Sequence, residues 1–197
     1  ACAPFRRLHV CDRNLEKITD TYTTTTHNLL VDVCMAAQFE GNSITRDYPR
    51  YQEKYGDTGH TTCTMLARSF ADIGDIIRGK DLFRGYNETD KAQKVILQQR
   101  LKEIFKKIHS GLSKNGAKDY YQDESGNYYQ LREDWWYANR RQVWKAITCN
   151  AQGFNYFRPT CSKGTTNTSE KCRCISGDVP TYFDYVPQFL RWFEEWA

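Results

Sequence analysis

The stretch from Thr61 to Arg78, TTCTMLARSFADIGDIIR, gives the clearest structural signal in the chain. Its apolar residues recur at i, i+3, i+7, i+10 and i+14, at Cys63, Leu66, Phe70, Ile73 and Ile77. This spacing is typical of one face of an amphipathic α-helix, and Gly79 is a suitable residue to end it. The pattern therefore predicts a helix that carries Cys63 on its buried face.

Helical spacing also marks residues 28–39, 87–108 and 133–149, and Pro187 suits the first turn of a last helix. The residues on the expected inner faces are Leu29, Leu30, Val33, Cys34 and Ala37; Leu97, Leu101, Ile104, Phe105 and Ile108; and Trp136, Arg140, Val143, Trp144 and Ile147. Gly41-Asn42 is expected to end the first of these helices, and a short helix around Tyr48, Tyr51 and Tyr55 is expected to be interrupted by Pro49. Residues 117–131 are interpreted as a loop or short hairpin. With no clear β pattern, the predicted fold is mainly α.

Eight cysteines indicate a disulfide-bonded extracellular protein. Four precede residue 64 and four follow residue 148, and all eight are predicted to be structural: Cys2, Cys11, Cys34, Cys63, Cys149, Cys161, Cys172 and Cys174. The last four are spaced C-x11-C-x10-C-x-C without a nearby histidine, whereas zinc sites favour closely spaced cysteine pairs. We therefore predict no metal site. Cys172 and Cys174 are too close in sequence to bridge each other well, so each should pair elsewhere in the chain.

Catalytic patterns are missing from the sequence. It contains no G-x-S-x-G, H-E-x-x-H or P-loop motif. The acidic pairs Glu133-Asp134 and Glu194-Glu195 are adjacent, so on a helix their side chains point about 100° apart. These observations predict a protein that is not an enzyme and needs no cofactor.

Positive charge is concentrated between the two groups of cysteines. The segment from residue 91 to 118 holds eight basic residues and one acid, Glu103, for a net +7, although the whole chain carries only +4. Its basic residues are Lys91, Lys94, Arg100, Lys102, Lys106, Lys107, Lys114 and Lys118, and Arg140, Arg141 and Lys145 add a second cluster. Such charge favours an anionic partner.

A sulfated glycan is the partner best suited to an extracellular basic helix, ahead of nucleic acid or anionic lipid. The predicted glycan-binding residues are Lys91, Lys94, Arg100, Lys102, Lys106, Lys107, Arg140, Arg141 and Lys145. One alternative is that these charges form only a solvated surface. A second is a protein receptor bound by the tyrosine-rich loop with Tyr120, Tyr121, Tyr128 and Tyr129, and a third is a module without a strong ligand.

No apolar run approaches the ~20 residues that a membrane-spanning helix needs, and no signal peptide is visible. Any membrane anchor is therefore expected to lie outside this chain. The apolar residues between Phe189 and Trp196 are expected to pack against residues that follow Ala197.

Five strings carry a resemblance to a known family: CAPFRRLHVCD at 2–12, DIGDIIRG at 72–79, REDWW at 132–136, VWKAITC at 143–149 and PQFLRWFEEW at 187–196. In content and order they resemble the Duffy-binding-like domain, in particular the alpha type at the head of Plasmodium falciparum erythrocyte membrane protein 1. The resemblance runs from end to end of the chain. It implies a disulfide-stapled helical adhesion fold, with subdomain 1 at residues 1–79, subdomain 2 at residues 80–197 and no third subdomain.

The resemblance also implies a function in cytoadherence and rosetting by an antigenically variable virulence protein on the outer face of the infected erythrocyte. The implied partners are host receptors (heparan sulfate-like glycans, blood-group sugars or complement receptor) and host antibodies, but not nucleic acid. The five strings are interpreted as scaffold, including Trp135, Trp136, Trp144 and Trp192. The predicted binding residues therefore depend on charge rather than on the resemblance.

Overall fold

The computed structural model describes residues 2–18, 25–56, 60–112 and 116–196. The helices within these ranges are α1 (Phe5–Leu8), α2 (Arg13–Glu16), α3 (Thr26–Tyr55), α4 (Thr62–Arg78), α5 (Glu88–Ser110), α6 (Ala117–Tyr120), α7 (Tyr129–Ile147), a 3-10 helix (Phe183–Tyr185) and α8 (Gln188–Trp196). These residues contain no β-strand, only three isolated bridges between residues 154 and 173. The prediction of a mainly α fold is confirmed.

Helix α3 is one continuous helix of 30 residues, so the predicted stop at Gly41 and break at Pro49 are wrong. Gly41 lies against the backbone of α7: a Cβ added there would be 1.8 Å from the carbonyl oxygen of Ile147. The glycine therefore permits close packing of two helices instead of ending one. Pro49 is half-buried and lies in the C-terminal half of α3, and the helix continues past it without a break although the proline leaves one carbonyl group without its usual donor.

The Gly41→Ala variant is expected to lower the free energy of unfolding by about 1–3 kcal/mol, because α3 and α7 must move apart to admit the methyl group. Gly111→Ala is a matched control, since its added Cβ would have no neighbour nearer than 3.6 Å. Urea denaturation followed by circular dichroism measures both changes. Equal stability of the two variants would contradict the close approach of α3 to Ile147.

Helix α4 is the centre of the fold and contacts α1, α3, α7, the 3-10 helix and α8. All of its residues except Met65 are buried. The predicted apolar face lies in the core as expected, but the polar face is not exposed to solvent. There the buried Asp72 carboxylate contacts Arg6 Nη2 at 2.7 Å and Arg191 Nη2 at 2.8 Å. Charges from both ends of the chain thus cover a helix that its sequence pattern predicts to be half exposed.

Aromatic side chains fill the space between α4 and α7. Phe70 lies between Trp136 and Trp144, with ring centroids 5.1 and 5.2 Å apart. Gly74 allows the Trp136 ring to contact the α4 backbone, since an added Cβ would be 2.7 Å from the ring. Large aromatic side chains therefore fill the space between these two helices, within a core whose other buried residues are mainly aliphatic.

Two disulfides hold the irregular segment 148–182, which follows α7. Cys63 of α4 bonds to Cys172, and Cys161 bonds to Cys174. The prediction that Cys172 and Cys174 pair elsewhere rather than with each other is confirmed. Cys2, Cys11, Cys34 and Cys149 are free thiols in this structure, so the predicted bridging of these four is not observed. The Cys63–Cys172 bridge also joins the two predicted subdomains rather than stapling one of them, and the division at residue 79 stays a prediction.

Candidate functional site

Helix α5 carries most of the predicted glycan-binding residues. The helix begins where the Asn87 side chain accepts a hydrogen bond from the Asp90 backbone N–H at 2.9 Å, an N-cap that satisfies one of the free donors of the first turn. Its apolar stripe, Leu97, Leu101, Ile104 and Phe105, is buried. This packing leaves Lys91, Lys106 and Lys107 exposed and Lys102 half-buried.

Lys94 and Arg100 do not belong to the exposed basic surface that the sequence predicts. The Lys94 ammonium contacts Asp12 at 2.8 Å and Glu16 at 2.7 Å, and its side chain is only 13% exposed. Burial alone would lower the pKa of Lys94, but the two carboxylates outweigh burial and raise it. Arg100 donates a hydrogen bond to the carbonyl oxygen of Glu16. Both residues therefore fasten α5 to α2, a contact that the spacing within α5 cannot reveal.

Lys102, Lys106 and Lys107 line one open cleft of about 700 Å³, which we call the basic cleft. Its other lining residues are Gln99, Glu103, Ser110, Gly126 and Tyr128. Three ammonium groups face one carboxylate there, so the lining keeps a net charge of +2. The Gln99 side chain donates a hydrogen bond to Glu103 Oε1 at 3.3 Å, which gives that carboxylate a neutral partner within the lining.

The far wall of the basic cleft is the loop 121–128, which internal hydrogen bonds hold in place. Asp123 accepts a hydrogen bond from the Ser125 backbone at 2.8 Å, and the bonds from Ser125 lower the pKa of the Asp123 carboxyl. Gly126 (φ 66°) and Tyr128 (φ 55°) both take left-handed backbone conformations that favour glycine. The Tyr128 ring packs on His109 with 5.3 Å between centroids. The wall is therefore a turn that its own hydrogen bonds stabilise, and it packs on the C-terminal half of α5.

The second predicted basic cluster, on α7, divides into buried and exposed members. Arg140 is buried, and its Nε and Nη2 donate hydrogen bonds of 2.7 Å to the two carboxylate oxygens of Asp184. Its prediction as a glycan-binding residue is wrong, because the guanidinium is part of the core. Arg141 and Lys145 are exposed, but they lie on α7 and do not line the basic cleft.

The tyrosine-rich loop is likewise only partly available to a partner. Tyr121 donates a hydrogen bond to Asp134 Oδ2 at 2.9 Å, which raises the pKa of the phenol, and Tyr128 packs on His109. Tyr120 and Tyr129 are exposed. Tyr128 therefore helps to shape the basic cleft, and Tyr120 and Tyr129 are the tyrosines of this group that are exposed to a partner.

Sequence reasoning missed Gln99, Ser110 and Gly126 as lining residues. Gln99 and Ser110 lie on the same helical face as Lys102 and Lys106, so extending the 3.6-residue period beyond the charged positions finds them. Gly126 comes from a separate loop, and no signal in the sequence links it to α5. Lys114, which was counted in the basic segment, lies outside the described residues.

Two other kinds of site are absent from the described residues. No group of three or more His, Cys, Asp or Glu side chains in these ranges is arranged to hold a metal ion. No helix there is long and apolar enough to cross a membrane.

Comparisons with known proteins point to one family. The profile of the Duffy binding domain matches residues 1–191. The Duffy receptor beta form of Plasmodium knowlesi is 23% identical over 206 residues, covering all of this chain and 14% of the receptor. The crystal structure of the NTS-DBL1α1 domain of PfEMP1 from the varO strain of Plasmodium falciparum is 49% identical with a TM-score of 0.81, covering all of this chain and 43% of that one.

A PfEMP1 DBLβ domain solved bound to human ICAM-1 is 32% identical with a TM-score of 0.69, covering 97% of this chain and 38% of that one. The chain thus spans less than half the length of each of these relatives. The family profile therefore covers nearly the whole chain. This chain belongs to the Duffy binding domain family.

Proposed function

We propose that the chain is a host-receptor adhesion module that binds a sulfated glycan in the basic cleft. The observation that carries the proposal is the convergence of Lys102, Lys106 and Lys107 on one cleft. Lys94 and Arg100 of the same segment are already paired with protein groups of α2 or beside it. The membership of a family whose relatives include the Duffy receptor supports adhesion as the function.

The chemistry of the basic cleft suits a polyanion. Lysine ammonium groups are strongly hydrated point charges, and they neutralise sulfate as they neutralise phosphate, with release of bound counterions. Lys102 and Lys106 are four residues apart and so lie about 6 Å apart along the α5 axis. Gly126 and Tyr128 line the opposite wall of the same cleft. An extended sulfated chain that lies along α5 would therefore meet successive charges.

Replacement of Lys102, Lys106 and Lys107 by Glu is expected to abolish most retention on a heparin column. The slope of log K against log salt concentration should fall by roughly 2–3, because each lost contact contributes about 0.7–0.9. The matched control is the Lys17, Lys54 and Lys171→Glu variant, which has the same net charge and changes three exposed lysines outside the basic cleft. Equal retention of the two variants would contradict the basic cleft and would attribute binding to net charge alone.

A protein receptor bound through the tyrosine-rich loop is the second candidate function. The exposure of Tyr120 and Tyr129 supports it, as do relatives solved in complex with ICAM-1. Receptor binding that is lost on Tyr129→Ala but persists at high salt would favour this candidate over the basic cleft.

We further propose that the module is displayed on the outer face of the infected erythrocyte, where it contributes to rosetting and cytoadherence. Membership of the family and similarity to PfEMP1 domains support this placement. Antibodies raised against the chain should stain intact infected cells. Staining only after permeabilisation would contradict the proposed location.

A further inference from the structure

The turn formed by residues 174–178, which we call the Ile175 turn, presents an apolar side chain entirely to solvent. Ile175 is 98% exposed. Single exposed apolar residues are common and need no explanation by themselves. Ile175 differs because the backbone on both sides of it is fixed: Cys174 is bonded to Cys161, and Gly177 N–H donates a hydrogen bond to the Cys174 carbonyl at 2.9 Å.

Contacts with helix α7 fix the Ile175 turn at two further points. Before the turn, Arg173 donates hydrogen bonds to the Lys145 carbonyl at 2.6 Å and to Thr148 Oγ1 at 2.7 Å. After it, Asp178 forms an ion pair with Arg141. The exposed isoleucine is therefore held beside the C-terminal half of α7 by a disulfide, a backbone hydrogen bond and two side-chain clamps.

The surface beside the Ile175 turn includes an exposed arginine and an exposed tyrosine. Arg141 and Lys145 are exposed on α7, and Tyr137, one turn before Arg141, is 70% exposed. Arginine and tyrosine are enriched among the residues that dominate binding energies. The surface carries a net charge of +2, because it holds three cations, Arg141, Lys145 and Arg173, and one anion, Asp178.

We propose that the Ile175 turn and the adjacent Arg141 and Lys145 dock a host-cell surface protein that offers an apolar pocket bordered by carboxylates. Ile175 fills the pocket and the two cations face its rim. A clamped turn loses little conformational entropy when it binds, so a small apolar anchor contributes more than it would on a mobile loop. A sulfated glycan does not fit this surface equally well, because an isoleucine at its most exposed point gives a polyanion nothing to bind.

The proposal rests on the adhesion function but uses a surface separate from the basic cleft. The test measures binding of the full chain to human erythrocytes and to endothelial cells that display ICAM-1, with heparin present in excess to occupy the basic cleft. Binding is followed by flow cytometry before and after the cells are treated with trypsin. We expect trypsin-sensitive binding that becomes at least about tenfold weaker in Ile175→Ser, as for the loss of one central anchor.

Lys145→Glu, which leaves the Arg141–Asp178 clamp in place, should weaken the same binding, and Val95→Ser should not weaken it. Val95 is a matched control because it is 66% exposed and lies on α5. The proposal is overturned if no trypsin-sensitive binding remains in the presence of heparin or if Ile175→Ser binds like the wild type. It is also overturned if Val95→Ser weakens cell binding as much as Ile175→Ser does. Heparin retention does not enter this test, so failure of the Ile175 turn and failure of the basic cleft are distinguishable.

Discussion

The Asp72→Asn variant is expected to have a free energy of unfolding about 3–5 kcal/mol lower than that of the wild-type chain. The substitution removes the carboxylate from a buried ion-pair network and leaves its cationic partners in place. Asp72 is fully buried, and its carboxylate balances Arg6 and Arg191 at 2.7 and 2.8 Å. Asparagine keeps the shape and one acceptor oxygen, but it leaves two buried guanidinium groups without that charge. Urea denaturation at pH 7, followed by circular dichroism, measures the loss.

The pH dependence of this loss has a defined direction. Burial alone would raise the pKa of Asp72, but Arg6 and Arg191 outweigh burial and lower it to about 2, below the ordinary 3.8. The stabilisation from the carboxylate is therefore complete above about pH 4 and is lost as the pH falls toward 2. The difference between wild type and Asp72→Asn in the free energy of unfolding should therefore shrink as the pH falls through that interval.

Asp75→Asn is the matched control, one turn further along α4. Its carboxylate also binds Arg191 and Arg78, yet burial outweighs these partners and raises the pKa of Asp75 to about 6. The folded state thus holds this proton more tightly than the unfolded state, so Asp75 adds stability as the pH falls from about 6 toward 4. At pH 7, Asp75→Asn should therefore lower the free energy of unfolding by less than Asp72→Asn does. Equal losses in the two variants would contradict the assignment of the balancing charge to Asp72.

The helices of this fold follow from local sequence patterns, but their surroundings do not. The spacing of Leu66, Phe70, Ile73 and Ile77 predicts α4 to within a residue or two, because that period depends only on helix geometry. The burial of its opposite face could not be predicted, since the partners Arg6 and Arg191 are far away in the chain. Gly41 was misinterpreted for the same reason. A helix-ending glycine and a glycine that admits a neighbouring backbone look identical in one sequence.

The candidate site shows the same division between local and distant information. The exposure of Lys106 and Lys107 follows from the apolar stripe of α5, which the sequence shows directly. The pairing of Lys94 with Asp12, and of Arg140 with Asp184, depends on segments that only the tertiary fold brings together. Charge counts along a helix therefore overestimate its free cations wherever another segment packs on the helix.

Removal of the Cys63–Cys172 bridge by alanine at both positions is the second large effect that we expect. The bridge closes a loop with a sequence separation of 109 residues, against 13 for Cys161–Cys174. From the loop-closure entropy, we expect the free energy of unfolding to fall by about 4.7 kcal/mol when a bridge closing a 100-residue loop is removed, and by about 3 kcal/mol for a 15-residue loop. The Cys161→Ala, Cys174→Ala variant is thus the natural comparison. A larger loss from the short loop would contradict the assigned pairing.

The same variant tests whether residues 1–79 and 80–197 are separate units. Trp144 reports on the bridge, because its Nε1 donates a hydrogen bond to the Cys172 carbonyl at 3.1 Å. Since α4 also packs directly on α7 and α8, we expect fluorescence and circular dichroism to change together in one cooperative transition even without the bridge. Two separate transitions would instead show that the covalent link, and not the shared core around Phe70 and Trp136, joins the two halves.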